Sequence, residues 1–215
     1  VLAADQFIVK DEDDNYGIIA GYPWFGRWGR DTFISFEGLL LVTKRFDIAK
    51  NILENAIKNV KDGIMPNQLN DKNNDFSYNT VDSSLLFFEA LNKYLKYTND
   101  YTLINKKYYS VLKDILMSYN DGTMYNIHVD KKDGLLSCGD SKTNLTWMDA
   151  MVDNTPVTPR HGKCVEINAL WYNALNVMLD IIRYKYPTVY EMDYKLFEHL
   201  AQQCKKSFED TLWDN

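Results

Sequence analysis

Residues 80–97 read TVDSSLLFFEALNKYLKY, and the spacing of apolar residues in this stretch indicates a helical fold. Its apolar residues recur every three or four positions, as they do on one face of an α-helix. These residues are Val81, Leu85, Phe88, Ala90, Leu91 and Leu95. A polar loop rich in Asn and Asp, at 66–75, leads into the stretch. The sequence therefore predicts an amphipathic helix that follows a loop and buries one face.

The same pattern recurs on both sides of this helix. Apolar spacing predicts a helix that begins near Asp31, which caps it, and runs to Val42, and another from Ile48 to Val60. Further helices are predicted over 101–119, 163–184 and 190–213. Alternating apolar residues predict short β-hairpins over 5–21, around an acidic turn at 11–15, and over 124–139. About six helices in successive hairpins predict an all-α fold that forms one domain over 1–215.

Composition restricts the class of partner. The net charge of −6 is spread along the 215 residues, which argues against nucleic acid or an anionic membrane as partner and favours a neutral substrate. Aromatic residues reach 14%, with 15 Tyr and 5 Trp. Such rings suit the faces of sugars, and they are equally suited to a Tyr-rich core. Both interpretations stay open at this point.

No cofactor is predicted. The three cysteines, Cys138, Cys164 and Cys204, show neither a disulfide framework nor zinc-ligand spacing, so a reducing cytoplasm is the expected compartment. The histidines are too scattered to indicate a metal site. No phosphate-binding, GxGxxG or HExxH motif occurs, no apolar run is long enough to cross a membrane, and no secretory leader is seen.

The first of three loops rich in polar and aromatic residues is GYPWFGRWGRD at 21–31. In a sugar site, a carboxylate such as that of Asp31 bonds two adjacent hydroxyls while Trp24 or Trp28 covers the ring. The alternative is structural, with Asp31 as a helix N-cap and Arg30 as its ion-pair partner. The two interpretations are compatible.

The second loop is NLTWMDA at 144–150, where Asp149 lies two residues from Trp147 in a largely apolar stretch. An apolar setting raises the pKa of a carboxyl group by desolvation, which is what a glycosidase needs in its general acid. The alternative is that Asp149 caps a turn or pairs with Arg160.

The third loop is TPRHGKCVEIN at 158–168, where Arg160, His161 and Glu166 gather around a helix start. Glu166 is a candidate base, a substrate ligand or a member of a capping box. His161 has no Ser or Cys partner for a triad. A weaker cluster, SYNTVD at 77–82, adds Asp82, which is either a ligand or a charge in the first turn of a helix.

Four ordered motifs resemble the amylo-α-1,6-glucosidase domain of glycogen-debranching enzymes. They are AGYPWF with WGRD at 20–31, YNTVD at 78–82, TWMD at 146–149, and TPRHGK with VEINALWY at 158–172. The resemblance implies that residues 1–215 form the first half of an (α/α)6 toroid, incomplete at the C-terminal side. It also implies that the enzyme hydrolyses α-1,6-linked glucose at branch points of glycogen or a related α-glucan, with inversion.

Site assignments follow from the motifs and the resemblance together. Asp149 is assigned as the general acid, and the catalytic base is expected beyond Asn215, so residues 1–215 alone should be inactive. The substrate-binding candidates are Trp24, Trp28, Arg30, Asp31, Asp82, Trp147, Arg160, His161 and Glu166. Arg27 and Cys164 depart from the usual family pattern of a small or acidic residue and of Pro, respectively.

Two rival functions stay open, together with one expectation about assembly. The rivals are a toroid glycosidase with another linkage preference and a non-catalytic carbohydrate-binding protein. Because a half ring leaves helix faces uncovered, self-association through that surface is also expected.

Overall fold

A computed structural model describes residues 2–11, 14–70 and 75–212 of the chain. The helices are α1 (Leu2–Asp5), α2 (Gly29–Phe36), α3 (Phe46–Ala56), α4 (Asp82–Thr98), α5 (Lys106–Asp121), α6 (Val165–Lys185) and α7 (Glu191–Thr211). The strands are β1 (Ile8–Lys10), β2 (Tyr16–Gly21), β3 (Phe25–Trp28), β4 (Gln68–Asn70), β5 (Asp75–Ser77), β6 (His128–Val129), β7 (Leu136–Ser137), β8 (Met151–Val152) and β9 (Thr155–Pro156). The fold is mostly helical, with small antiparallel sheets.

Helix α4 lies in the middle of the helical layer. It packs against α2 and α3 on one side and against α6 on the other, and α6 in turn packs against α7. Every apolar residue of the predicted stripe in 80–97 is buried. Phe87 and Tyr94, which lie off that stripe, are buried as well, because α4 has helical neighbours on more than one side. The prediction of an amphipathic helix is confirmed, and its buried face is wider than the sequence suggested.

The predicted helices are all present, with shifted ends. The largest shift concerns α5, which begins at Lys106 rather than at residue 101. In addition, α2 begins at Gly29 rather than near Asp31, and Asp31 lies in the first helical turn instead of capping it. After Phe36 the helix continues as a π-helical turn over Glu37–Leu41, which the apolar spacing did not distinguish. Trp213, where the last helix was predicted to end, lies outside the described residues.

The sheets are more extensive than predicted. Both predicted hairpins exist, as β1–β2 and β6–β7. The first belongs to a five-stranded sheet of order β1-β2-β3-β4-β5, so the GYPWFGRWGRD segment contributes a strand and the loop at 66–75 contributes two more. The pair β8–β9 was not predicted. Residues 12–13 of the acidic turn and 71–74 of the loop lie outside the described residues.

Several tyrosines are core residues. Tyr108 and Tyr119 are almost fully buried, and their hydroxyls donate to the carbonyl oxygens of Leu53 and Val81 at 3.1 and 2.9 Å. These hydrogen bonds satisfy the polar end of a ring whose body is buried among apolar side chains. The Tyr-rich core thus accounts for part of the aromatic content. Among the described residues, no helix is long and apolar enough to cross a membrane.

Candidate active site

The guanidinium of Arg30 lies at the centre of the candidate site. Arg30 is the second residue of α2 and is only 7% exposed. The helix start lies close to Pro66, since a Cβ added to Gly29 would be 2.3 Å from the Pro66 carbonyl oxygen. The Gly29 N–H also donates to the carbonyl oxygen of Asn67 at 2.7 Å. A residue with no side chain at position 29 therefore allows the turn that carries Arg30 to lie this deep.

Asp82 forms the buried side of the site. It is the first residue of α4 and is 3% exposed. Its Oδ2 accepts a hydrogen bond from Arg30 Nε at 2.7 Å, and its Oδ1 accepts one from the Thr80 hydroxyl at 2.7 Å. Both carboxylate oxygens thus have donors, which is what a buried charge needs.

Asp149 reaches the same guanidinium from the loop before β8. The Leu145 carbonyl oxygen accepts from the Val81 N–H at 2.9 Å and ties this loop to the start of α4. The side-chain amide of Asn144 donates to the Ala150 carbonyl oxygen at 2.7 Å and closes the loop. Asp149 Oδ2 then accepts from Arg30 Nη1 at 2.8 Å.

The surroundings of Asp149 differ from those that the sequence predicted. Its carboxyl contacts a guanidinium and its side chain is 37% exposed, so the expectation of an apolar, desolvated setting beside Trp147 is wrong for this structure. The alternative pairing with Arg160 is wrong too, because the partner is Arg30. The predicted ion pair between Arg30 and Asp31 is not found either, because Arg30 pairs with Asp82 and Asp149.

Asp31 lies beside this cluster, with its side chain on the exposed side of α2. Partial desolvation raises the pKa of Asp31 above its ordinary value, and the negative charges of Asp149 and Asp82 raise it further. Its own backbone hydrogen bond and the charge of Arg30 oppose this shift. The four residues therefore form one electrostatic group at the start of α2, α4 and the Asp149 loop.

A second ion pair lies at the start of α6. Arg160 Nη2 donates to both carboxylate oxygens of Glu166, which is in the first turn of that helix. The capping-box alternative for Glu166 is not what the structure shows, since the N-cap residue, Cys164, makes no capping hydrogen bond through its side chain. His161 is exposed on the same loop.

A buried cysteine lies between the two ion-paired clusters. The pKa of Cys138 is raised, first by a hydrogen bond with Cys164, then by burial, and then by the negative charges of Asp82 and Glu166. Hydrogen bonds give the positions directly. Asp149 joins the second predicted loop to Arg30, and the backbone bridge between Cys138 and Gly162 holds the third loop beside Cys138.

The tryptophans divide into exposed and buried ones. Trp24 and Trp147 are 84% and 56% exposed, and Trp28 is half-buried. Trp171 is fully buried and stacks on Tyr119 with ring centroids 6.4 Å apart, so it belongs to the core. Two indoles are therefore exposed, and that of Trp147 lies two residues from Asp149 in sequence.

Buried polar atoms without partners were not predicted from the sequence. Arg30 Nη2, Thr146 Oγ1 and Arg160 Nε have no hydrogen-bond partner among the described residues. Buried donors of this kind are uncommon in folded proteins. Thr146 was quoted only as part of a motif; its hydroxyl was not among the candidate residues. No group of three or more His, Cys, Asp or Glu in the described part of the chain could hold a metal ion.

The arrangement of elements is that of a class of glycosidases with solved structures. A rhamnosidase from Klebsiella oxytoca with rhamnose bound is similar at a TM-score of 0.59 and 16% identity, over 84% of this chain and 32% of that one. A metal-independent alpha mannosidase from Streptococcus pneumoniae, in complex with alpha-1,6-mannobiose, is similar at a TM-score of 0.62 and 11% identity, over 96% of this chain and 55% of that one. At these identities the likeness shows the fold alone.

The chain belongs to the amylo-alpha-1,6-glucosidase family, which matches residues 2–215. A glycogen debranching enzyme from Saccharomyces cerevisiae is 29% identical in an alignment 220 positions long, which covers 75% of this chain and 14% of the yeast protein. The family that the four motifs suggested is thereby confirmed. The chain corresponds to a small part of the length of that relative.

Proposed function

We propose that this chain is part of a glycoside hydrolase that releases α-1,6-linked glucose at branch points of glycogen or a limit dextrin, with inversion. Family membership supports the reaction class. The observation that carries the proposal for this chain is the meeting of Arg30 with Asp82 and Asp149, which are 52 and 119 residues away in sequence. Three chain segments thus bring two carboxylates, one guanidinium and spare hydrogen-bond donors to one place.

In this proposal Asp149 is the general acid. Arg30 holds Oδ2 at 2.8 Å, and no other described residue donates a hydrogen bond to the carboxyl. We assign the proton to the oxygen that Arg30 does not bind, from which it passes to the glycosidic oxygen as the bond to glucose breaks. Trp24 or Trp147, both exposed, covers the ring face.

The remaining substrate contacts come from the edge of the same site. Asp31 at the start of α2 and Glu166 at the start of α6 accept hydrogen bonds from sugar hydroxyls, Arg160 donates to sugar oxygens, and the His161 ring contacts the sugar from the same loop. Inversion also needs a base about 6.5–9.5 Å from the acid, with a water molecule between them. We place this base outside residues 1–215, in a second half that completes an (α/α)6 toroid, and so expect residues 1–215 alone not to turn over substrate.

The test is Asp149→Asn in the complete enzyme. Asn keeps the shape of the side chain but cannot donate the proton, so turnover of a branched dextrin should fall by about 10²–10⁴-fold while dextrin binding is retained. Hydrolysis of α-glucosyl fluoride should fall far less, because fluoride leaves without full protonation. Steady-state rates on both substrates, with binding measured by calorimetry, give the comparison.

Asp153→Asn is the matched control. Asp153 is exposed in the turn between β8 and β9, four positions beyond the acid, and its positive φ of 48° suits Asn. Turnover of this variant should equal that of the wild type. Equal losses on dextrin and fluoride for Asp149→Asn would assign the residue to binding, and unchanged dextrin hydrolysis would remove the acid assignment.

The proposed half ring also predicts the behaviour of residues 1–215 alone. Large apolar side chains are exposed on the helices and at their ends, with Ile34 of α2 at 63%, Val42 just after the π-helical turn at 62% and Tyr184 of α6 at 59%. Exposed apolar surface that a second half would cover should drive self-association. Light scattering at increasing concentration should show species above the monomer mass, whereas a strictly monomeric chain would argue against an uncovered face.

A further inference from the structure

Two cysteines meet at the base of the segment that carries most of the candidate site. Cys138 and Gly162 form a two-way backbone bridge, with N–H to carbonyl oxygen distances of 3.1 and 2.7 Å. The Cys138 thiol lies 3.7 Å from the Gly162 carbonyl oxygen, and interaction between the two thiols raises the pKa of Cys138 and lowers that of Cys164. Cys164 is two residues beyond that bridge, at the N-cap of α6.

We propose that Cys138 and Cys164 form a reversible oxidation site that reacts with hydroperoxides and closes as a disulfide. The backbone bridge between Cys138 and Gly162 holds the two stretches of chain together two residues before Cys164, and so keeps the two cysteines near each other. This proposal rests on the geometry of the two thiols and does not depend on the proposed hydrolase function.

The two sulfurs differ in solvent exposure. This difference determines which of them reacts with the oxidant first. Cys138 is fully buried, whereas Cys164 is partly exposed and is the sulfur that a small oxidant reaches first. The hydrogen bond from Cys138 lowers the pKa of Cys164 to about 7, and the positive charge of Arg160 lowers it as well, against the effects of burial and Glu166. A thiolate at a helix N-terminus beside an arginine is the reactive form of cysteine.

The chemistry balances with one hydroperoxide as oxidant. The Cys164 thiolate attacks one peroxide oxygen, the O–O bond breaks, and hydroxide leaves and takes up the proton that Cys164 had lost. Cys164 is then a sulfenic acid. The Cys138 sulfur attacks the Cys164 sulfur, the S–O bond breaks, and the hydroxyl leaves as water with the proton of Cys138. Two thiols are oxidised to one disulfide, and one hydrogen peroxide is reduced to two waters.

The disulfide would close a loop that contains much of the candidate site. Trp147, Asp149, Arg160 and His161 all lie between Cys138 and Cys164 in sequence. Closing the base of this segment restricts how far its two ends can separate. Oxidation also removes the charge that Cys164 holds next to Arg160, so the surroundings of the Arg160–Glu166 pair change with the redox state.

The experiment maps disulfides in the complete protein that carries this sequence. The native protein is treated with a small molar excess of hydrogen peroxide near neutral pH, and free thiols are then blocked with N-ethylmaleimide under denaturing conditions. Mass spectrometry without reduction should find the peptides of Cys138 and Cys164 joined, lighter by two hydrogens than the free pair. Dithiothreitol should separate them.

Cys204 serves as the internal control, since it is buried in α7 and burial raises its pKa to about 12. It should be recovered blocked by maleimide, and Cys204→Ser should leave the cross-link unchanged. In Cys138→Ser, Cys164 should stop at sulfenic or sulfinic acid, with a far-UV spectrum like that of the wild type. Two wild-type outcomes would overturn the proposal: oxidation of Cys164 without a cross-link to Cys138, or equal resistance of Cys164 and Cys204 to peroxide.

Discussion

Arg30 and Arg160 both pair with carboxylates at the same end of the molecule, yet the two pairs are built differently. Arg30 is 7% exposed and binds carboxylates 52 and 119 residues away. Arg160 binds Glu166, six residues away, and the two side chains are 24% and 34% exposed. The first pair exists only when three segments pack together, whereas the second forms within one turn of chain and a helix start. Two charge pairs of similar chemistry can therefore contribute very differently to the stability of the fold.

The largest effect should follow from removing the buried guanidinium. Arg30→Met leaves Asp82 buried without its charged partner, which should lower the free energy of unfolding by about 3–5 kcal/mol. Asp82 accounts for most of this loss, since Asp149 keeps contact with water. Arg160→Met should cost only about 0–1 kcal/mol, as is usual for exposed pairs. Urea unfolding of both variants measures the difference.

Equal losses of unfolding free energy in the two arginine variants would contradict the proposed difference between the two ion pairs. A small loss for Arg30→Met would mean that Asp82 finds water or a proton in place of the guanidinium, and that the site does not depend on tertiary packing. Asp82→Asn combined with Arg30→Met then separates the cases, since removing both charges should recover part of the stability that the single arginine change lost.

A smaller effect should come from the glycines of the two regions. Gly29→Ala would place a methyl group 2.3 Å from the Pro66 carbonyl oxygen, so the turn that carries Arg30 must shift, at a cost of about 1–3 kcal/mol. Gly162→Ala meets no atom within 4 Å, and its cost of about 1–2 kcal/mol comes from a φ of +81°. Thermal unfolding should therefore show destabilisation of both variants.

The consequences of these two changes should differ beyond stability. Only Gly29→Ala should weaken sugar binding in the complete enzyme, because it moves Arg30. Gly26→Ala is the control, since nothing lies within 4 Å of its added methyl group, and its stability should stay within about 0.5 kcal/mol of the wild type. A Gly29→Ala protein with normal stability and binding would show that the close approach at Pro66 is not required.

The difference between local and long-range contacts also explains how much of the fold could be predicted from the sequence. Helices were predicted well because amphipathic spacing is visible in the local sequence, and the apolar face it produces is the face that packs, as in α4. Strands β3, β4 and β5 were missed because segments of three or four residues are too short to show a pattern, and they become strands by pairing with β2 and with one another. The π-helical turn at Glu37–Leu41 was also missed, because the apolar spacing of so short a segment does not distinguish a π-helix from an α-helix.

The candidate site shows this limit as well. Motifs indicated which residues matter, but partners were predicted from nearby sequence: Asp31 for Arg30, and Arg160 for Asp149. The structure pairs Arg30 with Asp82 and Asp149 instead, across more than fifty residues. No local spacing encodes such a contact. The Thr146 hydroxyl was overlooked for a related reason, since only burial without a partner singles it out.

The smallest predicted effect concerns Asp31, at the exposed edge of the Arg30 cluster. Its pKa is raised above the ordinary 3.8, first by desolvation and then by the charges of Asp149 and Asp82. A raised pKa means that the folded state favours the protonated side chain. The associated stability is present below the unfolded pKa and is lost as the pH rises through the folded pKa. At neutral pH, therefore, the ionised Asp31 costs the fold free energy that an uncharged residue would not.

Asp31→Asn should accordingly increase the free energy of unfolding at about pH 7, by less than about 1 kcal/mol because solvent screens an exposed charge. The gain should shrink as the pH falls towards about 3, where Asp31 is protonated in both states. Urea unfolding across this pH range measures the gain in free energy of unfolding.

Asp47→Asn is the control, because Asp47 is exposed in the first turn of α3, where the helix dipole favours a carboxylate. That variant should be unchanged or slightly less stable at neutral pH. If Asp31→Asn also lost stability at neutral pH, Asp31 would be an ordinary charge at a helix start, and the electrostatic group around Arg30 would end at Asp82 and Asp149.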